Sequence, residues 1–176
     1  VYLSQPVLGI LDMLPDLAGK LKSGALVTDA GSTKAAIANK AFAHLGPGVF
    51  LGGHPMAGKE KSGVEEAEAT LFEGRVYALT PERINDLEHP VAKELARWIE
   101  RIGSRVLILD ADTHDRIVAL TSHLGQLVST ALGAALEKRF RDQSGALSLA
   151  GQGLLDMTRL AMSPYEMWEG ILKTNA

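Results

Sequence analysis

Leu51-Gly52-Gly53-His54-Pro55-Met56-Ala57-Gly58-Lys59-Glu60-Lys61-Ser62-Gly63 is the stretch around which the chain is organised. A short apolar run, Val49-Phe50-Leu51, leads into it, and glycines flank a single imidazole before a cluster of charge. This reads as a strand ending in a loop. Glycine lets a ligand or another segment approach the backbone closely, and Pro55 restricts His54 to an extended conformation. Histidine is the side chain whose ordinary pKa lies nearest neutrality, which suits a general base or acid. Taken alone, the same residues also describe a histidine capping a turn.

Upstream, Val1-Tyr2-Leu3 is strand-like and ends at Ser4-Gln5-Pro6. Val7, Leu8, Leu11 and Leu14 then recur at helical spacing. Pro15 is expected to open a second short helix through Leu21. Ala25 to Thr28 reads as a strand bounded by Asp29-Ala30-Gly31. Ser32-Thr33-Lys34 begins a helix from Ala35 to about Leu45, and a serine or threonine there can cap its free amides. Downstream, Val64 to Thr70 reads as a short acidic helix and Val76 to Thr80 as a strand. Pro90 opens a helix with Val91, Leu95, Trp98, Ile99 and Ile102 on one face, and Val106 to Leu109 is a strand. Strands alternating with helices predict an α/β part with a largely parallel sheet, in which ligands gather beyond the carboxyl ends of strands. Pro6, Gly31-Ser32 and His54 all fall at such ends.

After Asp112 no further strand is expected. Ile117, Leu120, Leu124, Leu127, Val128, Ala131, Leu132 and Ala135 mark one long helix from His114 to about Phe140. Two further helical stretches follow, Leu154 to Leu160 and Tyr165 to Lys173. The reading is therefore α/β followed by all-α, with residues 1–111 in the first part and 112–176 in the second. Ser122 and Gln126, four apart, share a face; alternatively Ser122 bonds back to its own helix and His123 lies at the surface. Asp156 and Arg159 sit three apart in an apolar stretch, where an arginine pairs with an acid or clamps a carboxylate. Met157, Met162 and Trp168 are expected in the core.

A net charge of −3 argues against nucleic-acid binding through phosphate contacts. The chain has no cysteine, and its five histidines lack zinc-ligand spacing, so no metal is expected. No apolar stretch is read as a membrane span and no signal peptide is visible, so a cytoplasmic protein is the default. The chain starts at Val1, inside an apolar segment, as a piece of a longer protein would.

Five motifs occur together and in order: Asp29-Ala30-Gly31-Ser32-Thr33-Lys34; Gly52-Gly53-His54-Pro55-Met56-Ala57-Gly58; Glu60-Lys61-Ser62-Gly63; His114-Asp115 followed by Ser122-His123-Leu124; and Asp156-Met157-Thr158-Arg159-Leu160-Ala161 to Met167-Trp168. In this the chain resembles, over essentially its whole length, the prephenate and arogenate dehydrogenases of tyrosine biosynthesis. The resemblance implies the C-terminal part of a Rossmann-type dinucleotide-binding domain followed by a helical domain that binds substrate and builds a homodimer. It implies oxidative decarboxylation of prephenate or arogenate with hydride transfer to NAD or NADP. His54 would match the base and Ser32 the serine that orients histidine, substrate and nicotinamide. Ser4, Gln5, Pro6 and Gly31 with Ser32 would face the cofactor. Arg159 would match the arginine that holds a substrate carboxylate, Ser122 and Gln126 would line the ring pocket, and Glu60 and Asp156 would match acidic gating residues.

Three departures stand out. Gln126 stands where the family often has a second histidine, so it is expected to tolerate the ammonium of arogenate better. Lys59 stands where threonine is common, and it would pull the preference back toward the doubly acidic prephenate. The family's Gly-rich phosphate fingerprint is not found here and is expected upstream of Val1. Two alternatives are a different Rossmann dehydrogenase, of the β-hydroxyacid type, and a non-catalytic helical dimerisation fragment.

Overall fold

The computed structural model describes residues 1–58, 64–143 and 145–175. Five strands form one sheet in chain order: β1 (Tyr2–Leu3), β2 (Val27–Asp29), β3 (Phe50–Pro55), β4 (Val76–Thr80) and β5 (Arg105–Ile108). Helices α1 (Val7–Leu17), α2 (Ala35–Leu45) and α3 (Pro90–Arg101) supply the crossovers β1–β2, β2–β3 and β4–β5, and each of these pairs is parallel. β3 and β4 are antiparallel, which departs from an all-parallel sheet. The reason is local: parallel neighbours need a long crossover, and among the described residues the β3–β4 connection holds only a 3₁₀ turn at Val64–Glu66. That turn also replaces the expected helix over Val64 to Thr70.

The register pairs Leu3 with Asp29 and Thr28 with Leu51. The carboxyl ends of β1 and β2 therefore lie side by side, and β3 runs on past them through His54 to Pro55. Alternation along β3 sends Phe50 to one face and Leu51 to the other. Phe50 joins Ile10, Leu14, Val27, Ile37 and Ala41 under α1 and α2. Leu51 joins Tyr77, Leu79, Ala92 and Ile99 under α3.

Several sequence expectations are corrected. Pro15 does not start a new helix; it lies in the last turn of α1, where Ala18 N already bonds back to the Pro15 carbonyl and little ladder remains to break. The long helix begins at Ala111 rather than His114. It runs as α4 (Ala111–Val118), a π turn (Ala119–His123) and α5 (Leu124–Phe140). By length and composition alone the run Ala111–Phe140 is apolar enough to cross a membrane, contrary to the sequence reading. It nevertheless buries the polar groups His114, Asp115, His123, Gln126 and Ser129 against the rest of the chain. His123 is thus not a surface residue; its ring meets Trp168 edge-on. Beyond α5 come α6 (Gln152–Thr158), a 3₁₀ turn (Arg159–Met162) and α7 (Tyr165–Thr174). Met157 and Met162 are exposed, not core. Trp168 packs against the α1–α2 core with Ile171, which ties the helical part back to the sheet. On α3, Trp98 lies outside with its ring under the Arg101 guanidinium.

Candidate active site

Asp29 ends β2 fully buried. Its Oδ1 accepts the Gly53 amide at 3.0 Å and its Oδ2 the Gly31 amide at 2.8 Å. The buried Lys34 ammonium pairs with Asp29 Oδ2 and also donates to the Gly53 carbonyl at 2.7 Å. Gly31 and Gly53 immediately precede Ser32 and His54 in the chain. Glycine is required at position 53, because a Cβ there would lie 2.5 Å from the Asp29 carbonyl oxygen and 3.0 Å from Tyr77 Cε1.

His54 is half-buried near the end of β3. Its Nδ1 lies 2.8 Å from His114 Nε2, and His114 Nδ1 lies 2.8 Å from Asp115 Oδ1. Asp115 also accepts the backbone amides of Lys34 at 2.7 Å and Ala35 at 2.9 Å. The expected Ser or Thr cap of α2 is therefore not made by its own turn; a carboxylate 80 residues away in sequence supplies it. Thr33 instead pairs its hydroxyl with Thr174. Burial alone would raise the Asp115 pKa, but the bonds from His114, Ala35 and Lys34 outweigh it and hold the carboxyl below its ordinary value.

These bonds set the protons. An ionised Asp115 only accepts, so His114 carries its proton on Nδ1 and offers Nε2 as an acceptor. His54 Nδ1 must then donate, which leaves His54 Nε2 as the unprotonated, basic nitrogen. Burial, followed by the positive charge of Lys34 and the neighbouring His114 and His123, lowers the His54 pKa to about 3, against the opposing pull of Asp115. The ring is neutral at physiological pH.

Ser4, Gln5, Pro6, Gly31 and Ser32 line one cleft of about 480 Å³ at the ends of β1 and β2, closed on its far side by Glu166, Met167 and Ile171 of α7. A second cleft of about 400 Å³ has His114, Met56 and Val118 in its wall and Arg75 and Arg105 beside them. Ser122, Gln126, Asp156 and Arg159 line neither cleft. Ser122 is half-buried on the π turn. Gln126 is buried and donates from Nε2 to the Leu160 carbonyl at 2.8 Å and to Thr130 Oγ1 at 3.3 Å. Ser129 Oγ accepts the Ala161 amide at 2.9 Å, so two bonds fix the Arg159–Met162 turn on α5. Arg159 is exposed on that turn, and Asp156, also exposed, accepts from Gln152 at 2.9 Å. Lys59 and Glu60 lie outside the described residues.

Sequence reasoning named His54 and Ser32 but gave His114, Asp115, Asp29 and Lys34 no part. The signal was present: two ionisable side chains in one short turn, Asp29 and Lys34, and a His-Asp pair opening a helix.

Comparison with known proteins bears on the same residues. Residues 1–108 match the family model for the prephenate dehydrogenase nucleotide-binding domain, and residues 110–176 that for the prephenate dehydrogenase dimerization domain. The chain belongs to the prephenate dehydrogenase family. It is 36% identical to the prephenate dehydrogenase of Lactococcus lactis, over 99% of this chain and 48% of that protein. Its fold superposes on the prephenate dehydrogenase of Aquifex aeolicus, solved with hydroxyphenyl propionate and NAD+, with a TM-score of 0.89 at 35% identity, covering 99% of this chain and 60% of that one. Synechocystis arogenate dehydrogenase gives a TM-score of 0.76 at 33% identity, covering 99% and 62%. The chain spans about half the length of the curated prephenate dehydrogenases it matches. Within the family, the α/β part followed by helices is the expected arrangement of a Rossmann-type domain and a dimerisation domain.

Proposed function

We propose that the protein carrying this chain oxidatively decarboxylates prephenate or arogenate, with hydride transfer to NAD(P)+ and with His54 as the base. The observation that carries the reading is the series His54–His114–Asp115, which leaves one basic nitrogen on His54 of β3, the strand paired with β2, while the residues that follow β2, Gly31 and Ser32, line the first cleft. The residues of that cleft fit a nicotinamide: Ser4, Gln5 and Ser32 give it a polar rim beside Pro6 and Gly31. When bound, the nicotinamide serves as the hydride acceptor.

The chain's own part is to orient and to move one proton. His54 Nε2 withdraws the substrate hydroxyl proton as hydride leaves the same ring carbon. The bond to the carboxyl on the opposite carbon gives its electron pair to the ring, carbon dioxide departs, and the proton returns to the phenolic oxygen. Aromatisation supplies the driving force, so alignment and proton removal are what the protein must add. Ser32, beside the cleft, would orient the hydroxyl, Ser122 would contribute to the ring pocket, and Arg159 would hold a substrate carboxylate. Asp156 and Glu60 would gate the site, and Lys59 would add positive charge toward it.

Gln126 lines neither cleft and its Nε2 holds the Leu160 carbonyl, so its buried Oε1, unpartnered among the described residues, favours neither prephenate nor arogenate. The exposed apolar side chains of the long helix, Leu120, Leu124, Leu127 and Val128, would form the homodimer interface. Steady-state kinetics of the intact protein, with both substrates and both cofactors, test the reading. Turnover of prephenate or arogenate is expected; activity with neither substrate would overturn it.

A further inference from the structure

Asp29 and Lys34 are the largest feature of the site that the proton path does not use. Both are buried, and burying an ion pair carries a desolvation cost that its mutual attraction repays only with good geometry and further hydrogen bonds. Here those further bonds all go to backbone: the Gly31 amide, the Gly53 amide and the Gly53 carbonyl. The backbone has been cleared for them. A Cβ on Gly31 would come within 2.9 Å of Asp29 Oδ2, and one on Gly53 within 2.5 Å of the Asp29 carbonyl oxygen. Lys34 is also where the two halves of the site join, since its own amide donates to Asp115, the anchor of His114.

We propose that the buried Asp29–Lys34 pair is a positioning clamp, which holds both peptide groups of Gly53 and the amide of Gly31 and so fixes His54 relative to Ser32. The clamp rests on the reading of His54 as the base. Its charge has a second effect, because Lys34 stands with His114 and His123 among the groups that keep His54 neutral, with Asp115 opposing them. A structural pair with no functional role would be replaceable by neutral residues of similar shape; a clamp would not.

The test uses Asp29→Asn, Lys34→Met and the double variant in the intact protein, with His54→Asn as control. Asp29→Asn and Lys34→Met are each expected to lower kcat by at least about tenfold while KM stays within about threefold, since misplacement of a reacting group acts on turnover. Lys34→Met removes a positive charge and leaves a carboxylate, so the acid limb of kcat/KM should move to higher pH. Asp29 is not among the groups acting on His54, so the double variant should keep the raised limb while kcat stays low. Hydrogen exchange read by mass spectrometry should be faster over residues 52–56 in Asp29→Asn, a readout independent of turnover. If Lys34→Met does not fold, Asp29→Asn, which is nearly isosteric, carries the test. Wild-type kcat and wild-type exchange in the single variants would overturn the clamp. Were His54→Asn itself to keep full activity, the proposed base, rather than the clamp, would be at fault.

Discussion

The candidate site and the outer face of the long helix are finished in opposite ways. At the ends of β2 and β3, charges are buried and saturated: Asp29, Lys34, Asp115 and His114 all find partners inside the chain. On the outer face of the long helix, apolar side chains are left uncovered. Leu120, Leu124, Leu127 and Val128 face outward on α5 and the turn before it, and Leu149 and Met162 are more exposed still. The first region is closed on itself and can be argued from one copy of the chain. The second has apolar surface without cover, and only the match of residues 110–176 to a dimerization domain says what kind of surface that is.

The largest effect is expected where the closed region has least room. Gly53→Ala places a Cβ 2.5 Å from a backbone oxygen, which should cost about 3 kcal/mol by denaturant unfolding and about 10²-fold in kcat through displacement of His54. Next is Asp115→Asn. It would loosen the His114 proton assignment and should lower kcat by roughly 10²-fold. Loss of the carboxylate cap on α2 should cost about 1 kcal/mol in the same unfolding assay.

The open region should behave differently. Leu127→Asp is expected to shift sedimentation from dimer to monomer. Because Leu127 is exposed in the single chain, far-UV circular dichroism should be unchanged and the monomer's own stability altered by no more than about 0.5 kcal/mol. Unchanged sedimentation would place the dimer contact elsewhere.

The smallest effect is on acid stability. The folded-state pKa of His54 is lowered to about 3 from an ordinary 6.5, so between those values the unfolded chain binds more protons at this site. His54 therefore favours the folded state fully above about pH 6.5, and that contribution is lost as pH falls toward 3. Tm should decline over this window, and His54→Asn should decline less steeply.

Much of this was legible in the sequence. The strand–helix alternation to Leu109 and its loss thereafter gave the fold class, and the glycines around His54 marked a close backbone approach. Ser4, Gln5, Pro6, Gly31 and Ser32 were placed at strand ends by pattern, and they line one cleft. What pattern missed was long-range. The α2 cap comes from Asp115, and the partner of His54 is His114, 60 residues on; no local propensity encodes either. The methionines misled because residue type in an apolar stretch suggests burial without placing it, and Met157 and Met162 are exposed in the chain. The antiparallel β3–β4 pairing was hidden because an acidic run reads as a short helix, whereas among the described residues the connection holds only a 3₁₀ turn.

The most direct measurement is the turnover of His54→Asn in the intact protein, followed as NAD(P)H formation from prephenate and from arogenate. A fall of about 10³-fold in kcat, with cofactor affinity retained, is the expected result for a lost general base. Turnover within about threefold of wild type would contradict a proton transfer through this imidazole.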